Sequence, residues 1–414
     1  MSQLPGGRTW VSPCRPPDAL KRGRDRADTY WVRLIPLNCV PNGAELGRDI
    51  ASAREDGIPL LRAGTPLTPR FKAALARAGV HSVYVDDEAT RGINPRPVLS
   101  DATRAAATAA VASTFQIVRE ALANGEMLTG DMLDTAQSAA ARMAGEVGHD
   151  GDVALALADL SGADSYTLQH AIDVAALGIL IGQRLYRERG YIDFRGQRSF
   201  EKVERRLTAL ALGLLLQDIG KLAIPRDMLE KPGPLNDNEW AVMRSHPITG
   251  ANLLRSDTVS LLVKATVRSH HERWDGGGYP DGKFEDEIHE HARIGAVADA
   301  YDAVTSERVF APAKPAHIGV RVIREGRGTM FDPEIVDAFS KIVAPYPPGD
   351  AIELSDGRGG VVASVPEGDL DRPVVRVLGE GDPYELPLAD HPELRIKGWE
   401  DMDPAPARGR HWAI

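Results

Sequence analysis

The residues in this sequence that could do chemistry sit at the ends and in the interiors of strongly apolar segments. His170 lies in DSYTLQHAIDVAALGILIG, Gln217, Asp218 and Lys221 close the run within LGLLLQDIGKLAIP, and His246 opens HPITGANLL. SHHERWDGGGYP supplies His270 and His271 side by side, and RIGAVADAYDAVTSER supplies Asp299 and Asp302. A buried carboxylate without a partner protonates or destabilises its fold, so Asp218 asks for a cation or several donors. Each residue alone has a plainer reading: His170 as a satisfied core histidine, Asp218 as a cap on local amides, Lys221 as a solvated lysine. Together, mixed imidazole and carboxylate groups suit first-row divalent ions such as Fe, Mn or Zn better than Ca or Mg. Two such ions roughly 3.5–4 Å apart would generate hydroxide and clamp a phosphodiester. His289, His291 and His317 stand in polar surroundings and are expected at the surface.

The segments that must position these groups read as helices. The runs around His170 and before Gln217 are apolar on nearly every helical face, which predicts buried helices. Pro247, just after His246, marks a helix start. Adjacent side chains diverge on a regular helix, so His270 and His271 can meet one ion only where a helix ends or bends, and the glycines after Asp275 supply such a break. Upstream, WVRLIP, GRDIAS and GIPLLRAG read as short strands. Thr68 and Pro69 read as a cap and first helical residue for FKAALARAG, and HSVYV alternates as a strand. An Ala-rich helical stretch, interrupted near NGEMLTGD, runs to Val147, and AIELS, GVVASV and PVVRVL read as closing strands. The expected fold class is mainly α. Its organisation is a flexible basic arm over 1–28, a small α+β module over 29–95, a helical linker over 101–150, an all-helical domain over 151–345, and a small β module with tail over 346–414.

Composition narrows the function classes. A net charge of −10 and a pI near 5.6 argue against duplex nucleic acid as partner, so any phosphate site must be local. Two cysteines, Cys14 and Cys39, both lie far upstream of the apolar segments and leave neither a disulfide framework nor a cysteine metal site. With no run of about 18 apolar residues and no apolar leader, the expectation is a cytoplasmic protein with no membrane partner. The Ala-rich helices could pair into a homodimer or pack within one chain.

HHERWDGGGYP, from His270 to Pro280, resembles the signature loop of the HD-GYP family, the branch of the HD phosphohydrolase superfamily that degrades cyclic di-GMP. KPGPL, HPITG and ADAYDAVTSER extend the resemblance, which covers about 165–343. It implies an all-helical domain with a two-metal site. His170, residue 217, Asp218 and Asp299 would hold one metal, and Asp218 would bridge to a second held by His246, His270 and His271. Lys221 and Arg308 would contact the phosphates, and Gly278, Tyr279 and Pro280 form the loop that names the family. The metals implied are Fe or Mn, with Zn as an alternative. The family's His-Asp doublet is Gln217-Asp218 here, an amide in place of a nitrogen ligand, which is expected to lower activity. After Arg308 the family shows an aromatic Tyr and then a basic residue. Here Phe310 keeps the ring, and Ala311 loses a phosphate contact unless Lys314 substitutes. Tyr166 stands where three-metal members carry a Glu, so a two-metal site is expected. The function implied is metal-dependent hydrolysis of cyclic di-GMP. The alternative is a catalytically impaired receptor that binds cyclic di-GMP or a signalling partner protein.

Overall fold

The computed structural model describes residues 32–37, 40, 42–47, 50, 60–77, 80, 82–86, 93, 98–147, 166–193, 196–229, 231, 233–254, 259–306, 313–379 and 381–398. The described residues are mainly helical, with a small sheet toward each end and a two-stranded hairpin between them. Arg308, Phe310, Ala311 and the basic arm lie outside the described residues.

At the N-terminal end, β1 (Val32–Pro36), β2 (Glu45–Leu46) and β3 (Ser82–Asp86) form an antiparallel sheet in the order β1-β3-β2. Helix α1 (Pro69–Arg77) begins at Pro69, and Thr68 Oγ1 accepts from the Phe71 amide at 3.3 Å. That bond satisfies one of the amides a helix start leaves open. Leu46, Leu67, Leu75, Val83 and Val85 make its separate small core.

Helix α2 (Asp101–Asn124) is capped by the Ser100 side chain and ends at Gly125, whose φ of 69° lies in the left-handed region that glycine adopts without cost. That turn is the break expected near NGEMLTGD. Helix α3 (Gly130–Val147) follows, and α2 and α3 pack Val111, Phe115, Leu133 and Met143 into one apolar core with the helices downstream.

Helix α4 (Tyr166–Arg189) is buried from Ala171 to Gly182 without interruption, as its all-round apolar pattern requires. A hairpin of β4 (Tyr191–Ile192) and β5 (Arg198–Ser199) leads into α5 (Val203–Leu215), which packs along α4. Beyond a 3-10 turn at Ile219–Ala223 come α6 (Arg226–Leu229), α7 (Asp237–Met243), α8 (His246–Leu253), α9 (Leu261–Ser269), α10 (Glu290–Thr305), α11 (Ala316–Glu325) and α12 (Pro333–Ser340). Helix α10 lies against α4, α9 and α11, so the core is a helical bundle with α4 and α10 at its centre. Strands β6 (Ala351–Glu353), β7 (Gly359–Ser364), β8 (Val374–Leu378) and β9 (Tyr384–Pro387) close the chain as an antiparallel sheet in sequential order. The fourth strand escapes sequence reasoning because YELP sends only Leu386 inward.

The surface expectation for three histidines needs correction. His291 is fully buried: His289 caps α10 by accepting the His291 amide at its Nδ1, 3.1 Å away, and this start turns the His291 ring inward. His289 is half-buried beside it, and His317 is half-buried against the Tyr346 ring, with centroids 5.2 Å apart.

Candidate metal centre

The chemistry-bearing side chains converge because several helices end at the same place. His170 projects from the first turns of α4, Gln217 and Asp218 follow the end of α5, and Lys221 sits in the 3-10 turn. His246 is the first residue of α8, and Asp299 is on α10. His270 is the C-cap of α9 and His271 the residue after it, so both rings reach one place because the helix has stopped there. The Gly276–Gly278 loop then turns back on the helix end. Tyr279 donates its amide to the His271 carbonyl at 3.2 Å, and a Cβ on Gly278 would lie 2.3 Å from the Arg273 nitrogen.

The ligating atoms of Asp218, His246, His270 and His271 all lie within 4.8 Å of one another. The two oxygens of Asp218 look in different directions. Oδ1 faces His246 Nε2 at 3.2 Å and His270 Nε2 at 3.7 Å, while Oδ2 faces His170 Nε2 at 3.6 Å and Lys221 Nζ at 2.7 Å. His170 Nε2 is 3.0 Å from Asp299 Oδ1, and His271 Nδ1 is 3.7 Å from Asp299 Oδ2. All of these except Lys221 and His271 are buried.

Burial works against ionising Asp218, but the Lys221 charge and the imidazoles of His246 and His270 hold its carboxyl well below the usual carboxylate range. Burial also lowers His246 and, more strongly, His271, so both favour the neutral imidazole that can ligate. His170 behaves oppositely. Burial would lower it, yet bonds to Asp299 and Asp302 push it up to about 10.

The residues present fit a divalent cation. Gln217 is fully buried, and neither amide atom has a hydrogen-bond partner among the described residues. Leaving them so costs about 1–3 kcal/mol per group, which a cation beside Oε1 would relieve. Asp218 Oδ1 likewise lacks a hydrogen bond. With the imidazoles of His246, His270 and His271 alongside, this is a nitrogen and oxygen donor set of the kind first-row ions prefer.

Two supporting residues went unassigned in the sequence. Asp302 Oδ2 sits 2.6 Å from His170 Nδ1, and its other oxygen accepts from Ser306 Oγ at 2.8 Å. Its spacing of three residues from Asp299 on one helix was the available signal. Glu272 accepts the Asp281 amide at 2.8 Å and the Lys283 amide at 3.1 Å, tying both ends of the loop that carries Tyr279. No sequence pattern distinguishes that glutamate from a solvated one.

Residues 197–335 match the family model described as HD domain. That span contains HHERWDGGGYP, the stretch that resembles the HD-GYP signature loop. Among curated relatives, a cyclic di-GMP phosphodiesterase of Pseudomonas aeruginosa is 36% identical over 273 residues, 66% of this chain and 60% of the relative. A cyclic di-GMP phosphodiesterase of Thermotoga maritima is 41% identical over 138 residues, 33% of this chain and 38% of the relative. A 3'3'-cGAMP-specific phosphodiesterase of Vibrio cholerae is 37% identical over 125 residues, 30% of this chain and 24% of the relative. The chain thus spans 60%, 38% and 24% of the length of these three relatives, less than two thirds in each case. Among the described residues, no helix is long and apolar enough to cross a membrane.

Proposed function

We propose that this chain is a metal-dependent phosphodiesterase that opens cyclic di-GMP. The observation that carries the reading is the placement of Asp218, whose two oxygens face two separate groups of nitrogen and oxygen donors. His170, Gln217, Asp218 and Asp299 would hold one divalent ion, and Asp218, His246, His270 and His271 a second. Fe or Mn suits these donors, with Zn as an alternative. Such ions supply Lewis-acid polarisation of the phosphodiester and acidify the attacking water. The protein's own groups do the rest. Lys221, about a quarter exposed at 28%, reaches from the rim to neutralise phosphate charge. Arg308 is proposed as a second phosphate contact, and Gly278, Tyr279 and Pro280 wall the site beside His271. The same proposal divides the chain at the boundaries given above and places it in the cytoplasm.

A second reading is favoured by one residue. Gln217 offers an amide oxygen where an imidazole would bind an ion more tightly, and a weakened ion would leave a receptor that binds cyclic di-GMP without turnover. Metal analysis and cyclic di-GMP hydrolysis on the native chain, Gln217→His and Asp218→Ala separate the two. The native chain is expected to carry metal and turn over, Asp218→Ala to lose both, and Gln217→His to gain about 10- to 100-fold in metal affinity or rate. Tight nucleotide binding without turnover selects the receptor, and a native chain with neither metal nor nucleotide affinity ends both readings.

A further inference from the structure

A row of flat groups leads outward from the histidine cluster. The His271 ring stacks on Tyr279, with centroids 4.7 Å apart and planes 25° from parallel. The Arg244 guanidinium lies 5.6 Å from the Tyr279 ring centroid and 5.8 Å from that of Trp240. Arg244 is the C-cap of α7, two residues ahead of His246, so the segment that delivers a cluster histidine also positions this arginine. Its side chain is exposed, and no acceptor among the described residues takes its N–H donors. Cation–ring attraction to two aromatic groups holds the guanidinium in place while its hydrogen-bonding capacity goes unused.

We propose that Arg244 selects guanine in the cyclic dinucleotide. An arginine fork donates two parallel hydrogen bonds, and guanine offers O6 and N7 as a matching pair of acceptors; adenine places an amino donor where O6 would be and repels the fork. The proposed phosphate contact, Lys221, is paired with Asp218 inside the cluster, whereas Arg244 lies one ring removed from it, on Tyr279, which itself stacks on His271. The assignment rests on the cyclic dinucleotide reading of the centre. It goes beyond that reading by naming the residue that tells one purine from the other.

Calorimetric titration of the full chain with phosphorothioate-linked cyclic di-GMP and cyclic di-AMP tests it. The native chain is expected to prefer the guanine ligand, and Arg244→Lys and Arg244→Met to lose about 10- to 100-fold in affinity for it with cyclic di-AMP binding unchanged. The lysine variant keeps the charge and loses the fork, and melting curves matching the native chain establish that both variants fold. Equal loss of both ligands, or a guanine preference that survives Arg244→Lys, overturns the assignment while leaving the phosphodiesterase reading intact. A native chain that binds neither ligand overturns both.

Discussion

Asp302 decides which way the His170 imidazole faces. By holding Nδ1 at 2.6 Å it leaves Nε2 pointed at Asp299 and Asp218, where a ligand nitrogen would be needed. Asp302→Asn is therefore expected to weaken divalent-ion binding about 10- to 100-fold, read by titrating metal into the metal-free chain, with melting behaviour close to native. Unchanged affinity would show that the helix alone orients the ring. At this scale the sequence was informative about which residues converge, because His170, Asp218, His246, His270 and Asp299 are polar groups in apolar company. It was silent on partners that support rather than face the cluster: Glu272 binds backbone amides, and Arg244 contacts ring faces.

The elements owe their placement to close backbone approaches. The turn at Ile219–Ala223 presses on the start of α8 so tightly that a Cβ on Gly220 would lie 1.9 Å from the His246 carbonyl oxygen and 2.7 Å from the Gly250 nitrogen. Neither obstacle is a flexible side chain that could swing aside. Gly220→Ala must push Asp218 and His246 apart, and we expect at least about 1–3 kcal/mol of lost stability together with reduced metal affinity, measured by denaturant unfolding and metal titration. Alanine tolerated without change in either would mean that the contact relaxes freely. Helices were the most legible elements, since an all-round apolar run such as that of α4 leaves no other assignment. Short strands were harder. β2 is Glu45–Leu46, just ahead of the expected strand GRDIAS, of which only Gly47 and Ile50 lie among the described residues, Ile50 bridging to Leu61.

For the molecule as a whole, stability depends on groups remote from the cluster. Asp350, between α12 and β6, is half-buried as a residue, and burial of its carboxyl pushes it up to about 7 from an ordinary 3.8. The folded chain then binds a proton that the unfolded chain has released, so this group favours folding near pH 4 and opposes it increasingly as pH rises toward 7. Asp350→Asn is expected to raise stability at pH 8 by roughly 1 kcal/mol, discounted for partial exposure, and to leave pH 4 nearly unchanged. Melting temperatures of both chains across that range check it, and parallel curves would contradict it. The buried histidines at the start of α10 act in the opposite sense. Burial, with the Arg206 and Arg293 charges, lowers His289 to about 4, and burial, with His289 and Arg206, holds His291 well below its ordinary value. Between pH 6.5 and 4 the unfolded chain takes up protons at these two rings that the native chain refuses. At these two rings refolding in mildly acidic buffer therefore expels protons, and the acidic edge of the chain's stability is drawn by them together with His246 and His271, which burial lowers in the same sense.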